Sequence, residues 1–175
     1  LAGFIRERFP AVRIILGGGL ITSWLSRPGW KNPFSGLVDL LVPGPGEGAL
    51  LALSGKKNCG AAFRPDYAFF PLANYLSPGP VLPYSTAGGC WWRKCSFCPE
   101  KAEGNDYQPL APDLALAEIK RLAELEKPAI VHFLDNALSP KFLEGIAECR
   151  PGIPWYGFAR ITTHLTDPDF CRALR

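Results

Sequence analysis

The chain has 175 residues, enough for one large or two small domains, and 47% of them are hydrophobic, enough to bury a core. Its 19 basic and 16 acidic side chains leave a net charge of +3 with no basic run, so nothing electrostatic argues for nucleic acid. No apolar run approaches the roughly 18 residues of a membrane-spanning helix.

Nothing near the start reads as a signal peptide, so a cytoplasmic chain with reduced thiols is expected. There is no methionine, and Leu1 to Phe9 reads as a helix already in progress, which makes a piece of a longer protein the expectation. Phe4, Ile5 and Phe9 form the apolar side of that helix, and Pro10 ends it. Val12 to Leu16 is short and β-branched, and Gly17-Gly18-Gly19 stops it, which predicts a buried strand running into a glycine turn. Leu20 to Leu25 begins a helix closed by Pro28-Gly29. Val38 to Val42 reads as a second buried strand, Pro43-Gly44-Pro45-Gly46 as a tight turn and Glu47 to Leu53 as a helix. Repetition of strand, glycine turn and helix predicts a parallel α/β layer. The glycines at 17 to 19 either let a ligand approach the backbone or make a plain tight turn. They do not spell G-x-G-x-x-G, so no dinucleotide is inferred.

Lys56-Lys57-Asn58, Pro65-Asp66-Tyr67 and Ser77-Pro78-Gly79-Pro80 are turn signals without periodicity between them. They predict an ordered linker whose aromatics, Tyr67, Phe69, Phe70 and Tyr75, pack between domains, with Cys59 a bystander. Val81 to Ser85 then reads as a strand feeding Gly88-Gly89 and three cysteines, Cys90, Cys95 and Cys98, spaced C-x4-C-x2-C. Thiolates are soft ligands for zinc, copper(I) or iron–sulfur clusters. A structural zinc usually takes four protein ligands, often as two pairs, whereas three thiolates on one loop suit a 4Fe–4S cluster with one iron open. A zinc site completed by Cys59, Cys149, Cys171, His132 or His164 is the alternative, and buried free cysteines are another. Trp91 and Trp92 either shield a cluster or pack at the strand ends. Arg93 and Lys94 either offset cluster charge or are solvated.

Pro112 opens a helix whose apolar face is Ala115, Leu116, Ile119, Leu122 and Ala123, up to Lys127. Ala129 to Leu134 is a strand ending at Asp135-Asn136, Pro140 to Cys149 a helix, Ile153 to Phe158 a strand ending near Arg160, and Asp167-Pro168-Asp169 a helix start. Three successive βα units begin a (β/α) barrel, in which function sits at the C-terminal strand ends. The cysteine loop, Asp135-Asn136 and Arg160 all fall there. Asp135 also suits a helix cap and Arg160 a structural ion pair, while His132 suits packing within its strand. Cys149 and Cys171 lie in helices, where their thiols are expected to be packing groups.

Gly88-Gly89-Cys90 through Cys95-Ser96-Phe97-Cys98 resembles the cluster loop of radical S-adenosylmethionine (SAM) enzymes. Their usual spacing is C-x3-C-x2-C with an aromatic residue before the last cysteine. Phe97 matches that aromatic, and the first gap is one residue longer here. The resemblance implies that Cys90, Cys95 and Cys98 hold a 4Fe–4S cluster and that SAM binds the open iron. It implies that an electron from a reducing partner, such as ferredoxin or flavodoxin, cleaves SAM to a deoxyadenosyl radical. Phe97, Asp135, Asn136 and Arg160 are its implied SAM contacts. Ile15-Leu16-Gly17-Gly18-Gly19, Val38-Asp39 and Gly44-Pro45-Gly46-Glu47 resemble the C-terminal half of the cobalamin-binding domain that precedes many radical SAM domains. Pro45 replaces the first glutamate of that family's loop. The resemblance assigns the cobalamin nucleotide tail to Gly17 and Gly18, with a vestigial scaffold as the alternative.

The expected fold class is therefore α/β: the C-terminal part of a Rossmann-like, cobalamin-binding-type layer over 1–58, a linker over 59–80, and the first three βα units of a partial (β/α) barrel over 81–175. The expected function is radical SAM chemistry on an unknown substrate, as methylation, methylthiolation or rearrangement. The competing class is a zinc-stabilised, non-enzymatic binding module.

Overall fold

The computed structural model describes residues 1–56 and 64–175, in a mixed α/β chain with small parallel sheets. It divides into two compact units, Leu1–Ala62 with Phe97–Gly104, and Phe63–Ser96 with Asn105–Arg175. The expected boundary at residue 58 and the expectation for Cys59 lie outside the described residues.

In the first unit, α1 (Ala2–Arg8) precedes β1 (Ile15–Gly17), α2 (Gly19–Leu25), β2 (Leu40–Val42) and α3 (Glu47–Leu53), and α4 (Pro99–Glu103) belongs to the same unit. β1 and β2 run parallel, Ile15 opposite Leu40 and Gly17 opposite Val42, and a parallel pair needs a crossover such as the one that contains α2. Asp39 ties the strand entries together. Its carboxylate accepts from the Ile14 N–H at 2.7 Å and from the Arg6 guanidinium at 2.5 Å, and Arg6 also donates to the Leu37 and Pro10 carbonyls. The Ile14 hydrogen bond, then that of Arg6, holds the Asp39 carboxyl below its usual pKa. The expectation of two buried strands needs correcting, because Ile15 and Leu40 are exposed. Each strand has one neighbour, and among the described side chains of this unit only Ile21 is a buried apolar one, at 2% exposure.

The second unit holds β3 (Val81–Tyr84), β4 (Ala87–Gly88), β5 (Gln108–Pro109), α5 (Pro112–Glu126), β6 (Ile130–Phe133), α6 (Pro140–Cys149), β7 (Trp155–Tyr156) and α7 (Pro168–Ala173). β3, β6 and β7 form a parallel sheet in the order β3-β6-β7, with Tyr84 opposite Phe133 and His132 opposite Tyr156. α5 starts with Pro112 at its first position and ends at Lys127, which adopts the left-handed conformation directly before Pro128. In α6 the Ser139 hydroxyl accepts from the Phe142 N–H at 3.2 Å, an N-cap typically worth about 1 kcal/mol.

One sheet face carries Leu82, Tyr84, Val131 and Phe133, the alternate residues of β3 and β6, against Ala115, Leu116, Ile119 and Leu122 of α5 and Phe142, Leu143 and Ile146 of α6. Fully burying one such large apolar side chain contributes about 1.5–3 kcal/mol. Burial pushes the Tyr84 hydroxyl up to about 12. Gly157 lets the last strand pass close by, since a Cβ there would lie 2.9 Å from the Phe133 Cβ. β7 is shorter than the expected Ile153 to Phe158. Pro154 has no N–H to donate, and pairing beyond β7 continues only as a bridge between Leu138 and Ala159. On the other sheet face the His132 ring stacks on Tyr156 at 4.1 Å between centroids, so His132 packs within the sheet as its alternation suggests.

The linker aromatics Tyr67, Phe69, Phe70 and Tyr75 fall in this unit. Tyr67 donates its hydroxyl to the Pro83 carbonyl and packs against the core, while Phe69 is fully in solvent.

Candidate functional site

Because β3, β6 and β7 are parallel, the segments that follow them emerge from one edge of the sheet. After β3, the backbone enters an antiparallel clamp in which β4 pairs with β5, Ala87 opposite Pro109 and Gly88 opposite Gln108. The Leu110 N–H donates to the Thr86 carbonyl at 2.9 Å and extends the clamp by one bond. Gly89 follows with φ +68°, and a Cβ at this position would lie 2.5 Å from the Asp106 carbonyl oxygen. Only glycine meets both demands. The cysteine loop thus leaves the sheet through a fixed, closed base.

Asp135 anchors that base. It is 4% exposed, and its two carboxylate oxygens accept from Thr86, one from the N–H at 2.9 Å and the other from the hydroxyl at 2.6 Å. A buried carboxylate is stable only when so satisfied. Asp135 therefore neither caps a helix nor extends a free oxygen toward solvent. It binds the end of β6 to the exit of β3, across 49 residues of sequence.

Trp91 makes a second anchor, its indole N–H donating to the Leu138 carbonyl at 3.1 Å. Trp92 is a platform. The Arg160 guanidinium lies 3.6 Å from its ring centroid and the Lys94 ammonium 4.8 Å from it. Such contacts are worth about 0.5–1 kcal/mol at exposed sites. Arg93 takes a left-handed backbone, φ 47°, which is uncommon outside glycine, and pairs with Asp106 at 3.0 Å.

The structure places Cys90 in the buried base of the loop and leaves Cys95 and Cys98 half-buried. All three are free thiols, as are Cys149 and Cys171. By its contacts Cys98 falls in the first unit, with Phe97, which is 87% exposed. Among the described residues no three His, Cys, Asp or Glu side chains gather into a ready metal-holding group. As soft donors, Cys90, Cys95 and Cys98 are three thiols close in sequence, and none of the described cysteines is paired in a disulfide. Asn136 is exposed beside Asp135. In the first unit Gly17 ends β1 and Gly18, at φ +99°, caps α2, both on the surface. Cys149 and Cys171 are exposed rather than packed, a correction to the expectation from their helices, since each falls on a solvent-facing position.

Thr86, Asp106 and Thr22 escape sequence reasoning. Thr22 accepts from the Gly44 N–H at 2.8 Å and so joins α2 to the second glycine turn. A lone threonine after a strand or inside a helix carries no local signal, and only the long-range pairing reveals it.

Comparison with family models, curated protein sequences and solved structures finds no match.

Proposed function

We propose that the chain is part of a radical SAM enzyme in which Cys90, Cys95 and Cys98 hold a 4Fe–4S cluster. The observation that carries this reading is the C-x4-C-x2-C loop with Phe97 before its last cysteine, rooted at the C-terminal edge of a parallel sheet. That edge is where barrel enzymes keep their chemistry. On this reading the β3-β6-β7 unit is the start of a partial (β/α) barrel, and the β1-β2 unit is the end of a Rossmann-like, cobalamin-binding-type layer.

When bound, the cluster supplies the single electron, delivered by a ferredoxin- or flavodoxin-type partner in a reducing, cytoplasmic setting, for cleavage of SAM toward methylation, methylthiolation or rearrangement. The residues of the chain do the rest. The three cysteines would hold the cluster as thiolates, giving up their protons on ligation, since a site of this kind is completed by its metal. Thr86 and Asp135 hold the root of the loop in place, and Trp91 pins its next turn. Phe97, Asp135, Asn136 and Arg160 are the residues that the family resemblance implies as SAM contacts. Gly17 and Gly18 would offer a surface without side chains to a cobalamin tail.

Anaerobic reconstitution with iron and sulfide, followed by metal and acid-labile sulfide analysis, tests the reading. The expected content is about four iron and four sulfide per chain. About one zinc per chain without sulfide would overturn it and favour a zinc-stabilised, non-enzymatic binding module.

A further inference from the structure

Trp92 gathers two cations that no carboxylate among the described residues pairs with. Arg160 and Lys94 both sit on its ring, at 3.6 Å and 4.8 Å, so the two charges are no farther apart than those distances laid end to end. Among the described residues neither forms an ion pair with a carboxylate. Their neighbour Arg93 differs in this respect, since it is taken by Asp106. Stacking uses only the face of a guanidinium. Its five N–H donors point outward in the ring plane, and the three of the ammonium rotate freely. Both side chains are exposed, so their donors are available to a ligand. Contact with the Trp92 ring offsets part of the mutual repulsion of the two cations.

We infer that Arg160, Lys94 and Trp92 form a binding site for a doubly charged oxyanion, a phosphate monoester or a dicarboxylate, carried by a small-molecule substrate. Arg160 offers two parallel N–H groups to paired oxygens, and Lys94 supplies a point charge from the same ring. The pairing of two cations selects a dianion over a monoanion. Trp92 belongs to the cysteine loop itself, two residues after Cys90, so an oxyanion held there would position a substrate beside that loop. The site needs no metal, so it stands or falls separately from the cluster.

The test is calorimetric titration of the metal-free full chain at constant ionic strength with inorganic phosphate, succinate and acetate. Saturable binding of phosphate supports a phosphorylated substrate, and saturable binding of succinate supports a dicarboxylate. Acetate should bind at least about tenfold more weakly than the better of the two, the loss expected when one charge-assisted hydrogen-bonding partner goes unused. Arg160→Ala and Lys94→Ala, each checked for native circular dichroism, should separately weaken the better dianion by about tenfold or more. Lys120→Ala, on the exposed side of α5, should leave it unchanged. Absence of saturable binding by both dianions, affinities unaffected by Arg160→Ala and Lys94→Ala, or an equal loss in Lys120→Ala would overturn the inference.

Discussion

β1 and β2 are three residues each, pair only with one another among the described residues, and leave Ile15 and Leu40 exposed. β6 is only one residue longer, but it has a neighbour on each side and two helices against one face, and its Val131 and Phe133 are buried. The two regions share the same local signals: a short β-branched or apolar run, a turn, then a helix. What separates them is the number of elements available to cover each strand. A two-stranded pair is marginal by itself, and a third strand with packed helices closes a core. Rigid positioning is therefore available where the cysteine loop leaves β3, and Thr86 and Asp135 exploit it. The first unit carries polar ties on its surface, Arg6 with Asp39 among them, and stacking of Trp24 with Trp30 and Phe34.

The contrast is sharpest for core truncation. Leu82→Ala or Phe133→Ala should destabilise the second unit by about 2–5 kcal/mol, because each leaves a cavity in a packed cluster. Leu50→Ala, with Leu50 at 62% exposure in the first unit, should change stability by no more than about 0.5 kcal/mol. Urea denaturation of the three variants checks this, and native-state hydrogen exchange should show the β6 amides opening far less often than those of β1 and β2. A comparable loss in Leu50→Ala would break the comparison.

Within the second unit, Thr86→Val removes the hydroxyl donor and leaves an Asp135 oxygen buried without a partner. The expected loss is about 1–3 kcal/mol by urea denaturation. Asp106→Asn, which removes the charge from an exposed pair with Arg93, should lose no more than about 1 kcal/mol. Equal effects would mean that Asp135 is not the anchor described.

Acid dependence should be the smallest effect and should expose the first unit. The folded pKa of Asp39 is lowered, so the unfolded chain takes up its proton first. The stabilisation is present above the unfolded carboxyl value and is lost as pH falls through the folded one. In Asp39→Asn, the fall in stability below about pH 4 should be shallower than in the wild type, read as the thermal midpoint against pH. An unchanged slope would show that the Ile14 and Arg6 bonds do not hold this unit together.

Sequence reading located α5 and α6 to within a residue because both combine proline at the first helical position with buried side chains three and four apart. It located β3 and β6 by their apolar runs. It missed the β4–β5 clamp, since two paired residues offer no alternation to read. α4 was legible but unread: Pro99 follows Cys98, and Gly104 takes the left-handed position at the far end. The strand-end residues Asp135 and Arg160 were visible as candidates, but their partners were not. Asp135 meets Thr86 and Arg160 meets Trp92 only after the intervening helices have packed. Burial in the first unit was overread because an apolar strand looks the same whether or not the fold supplies a cover.

The central claim concerns the ligands, and electron paramagnetic resonance of the reduced, anaerobically reconstituted protein tests it most directly. The wild type, Cys149→Ala and Cys171→Ala should show a reduced 4Fe–4S signal that shifts on addition of SAM, because the latter two thiols lie exposed on helices away from the loop sequence. Cys95→Ala should show no such signal, because it removes a bond to iron. A full cluster signal in Cys95→Ala, or its loss in Cys149→Ala or Cys171→Ala, would contradict the assignment of Cys90, Cys95 and Cys98.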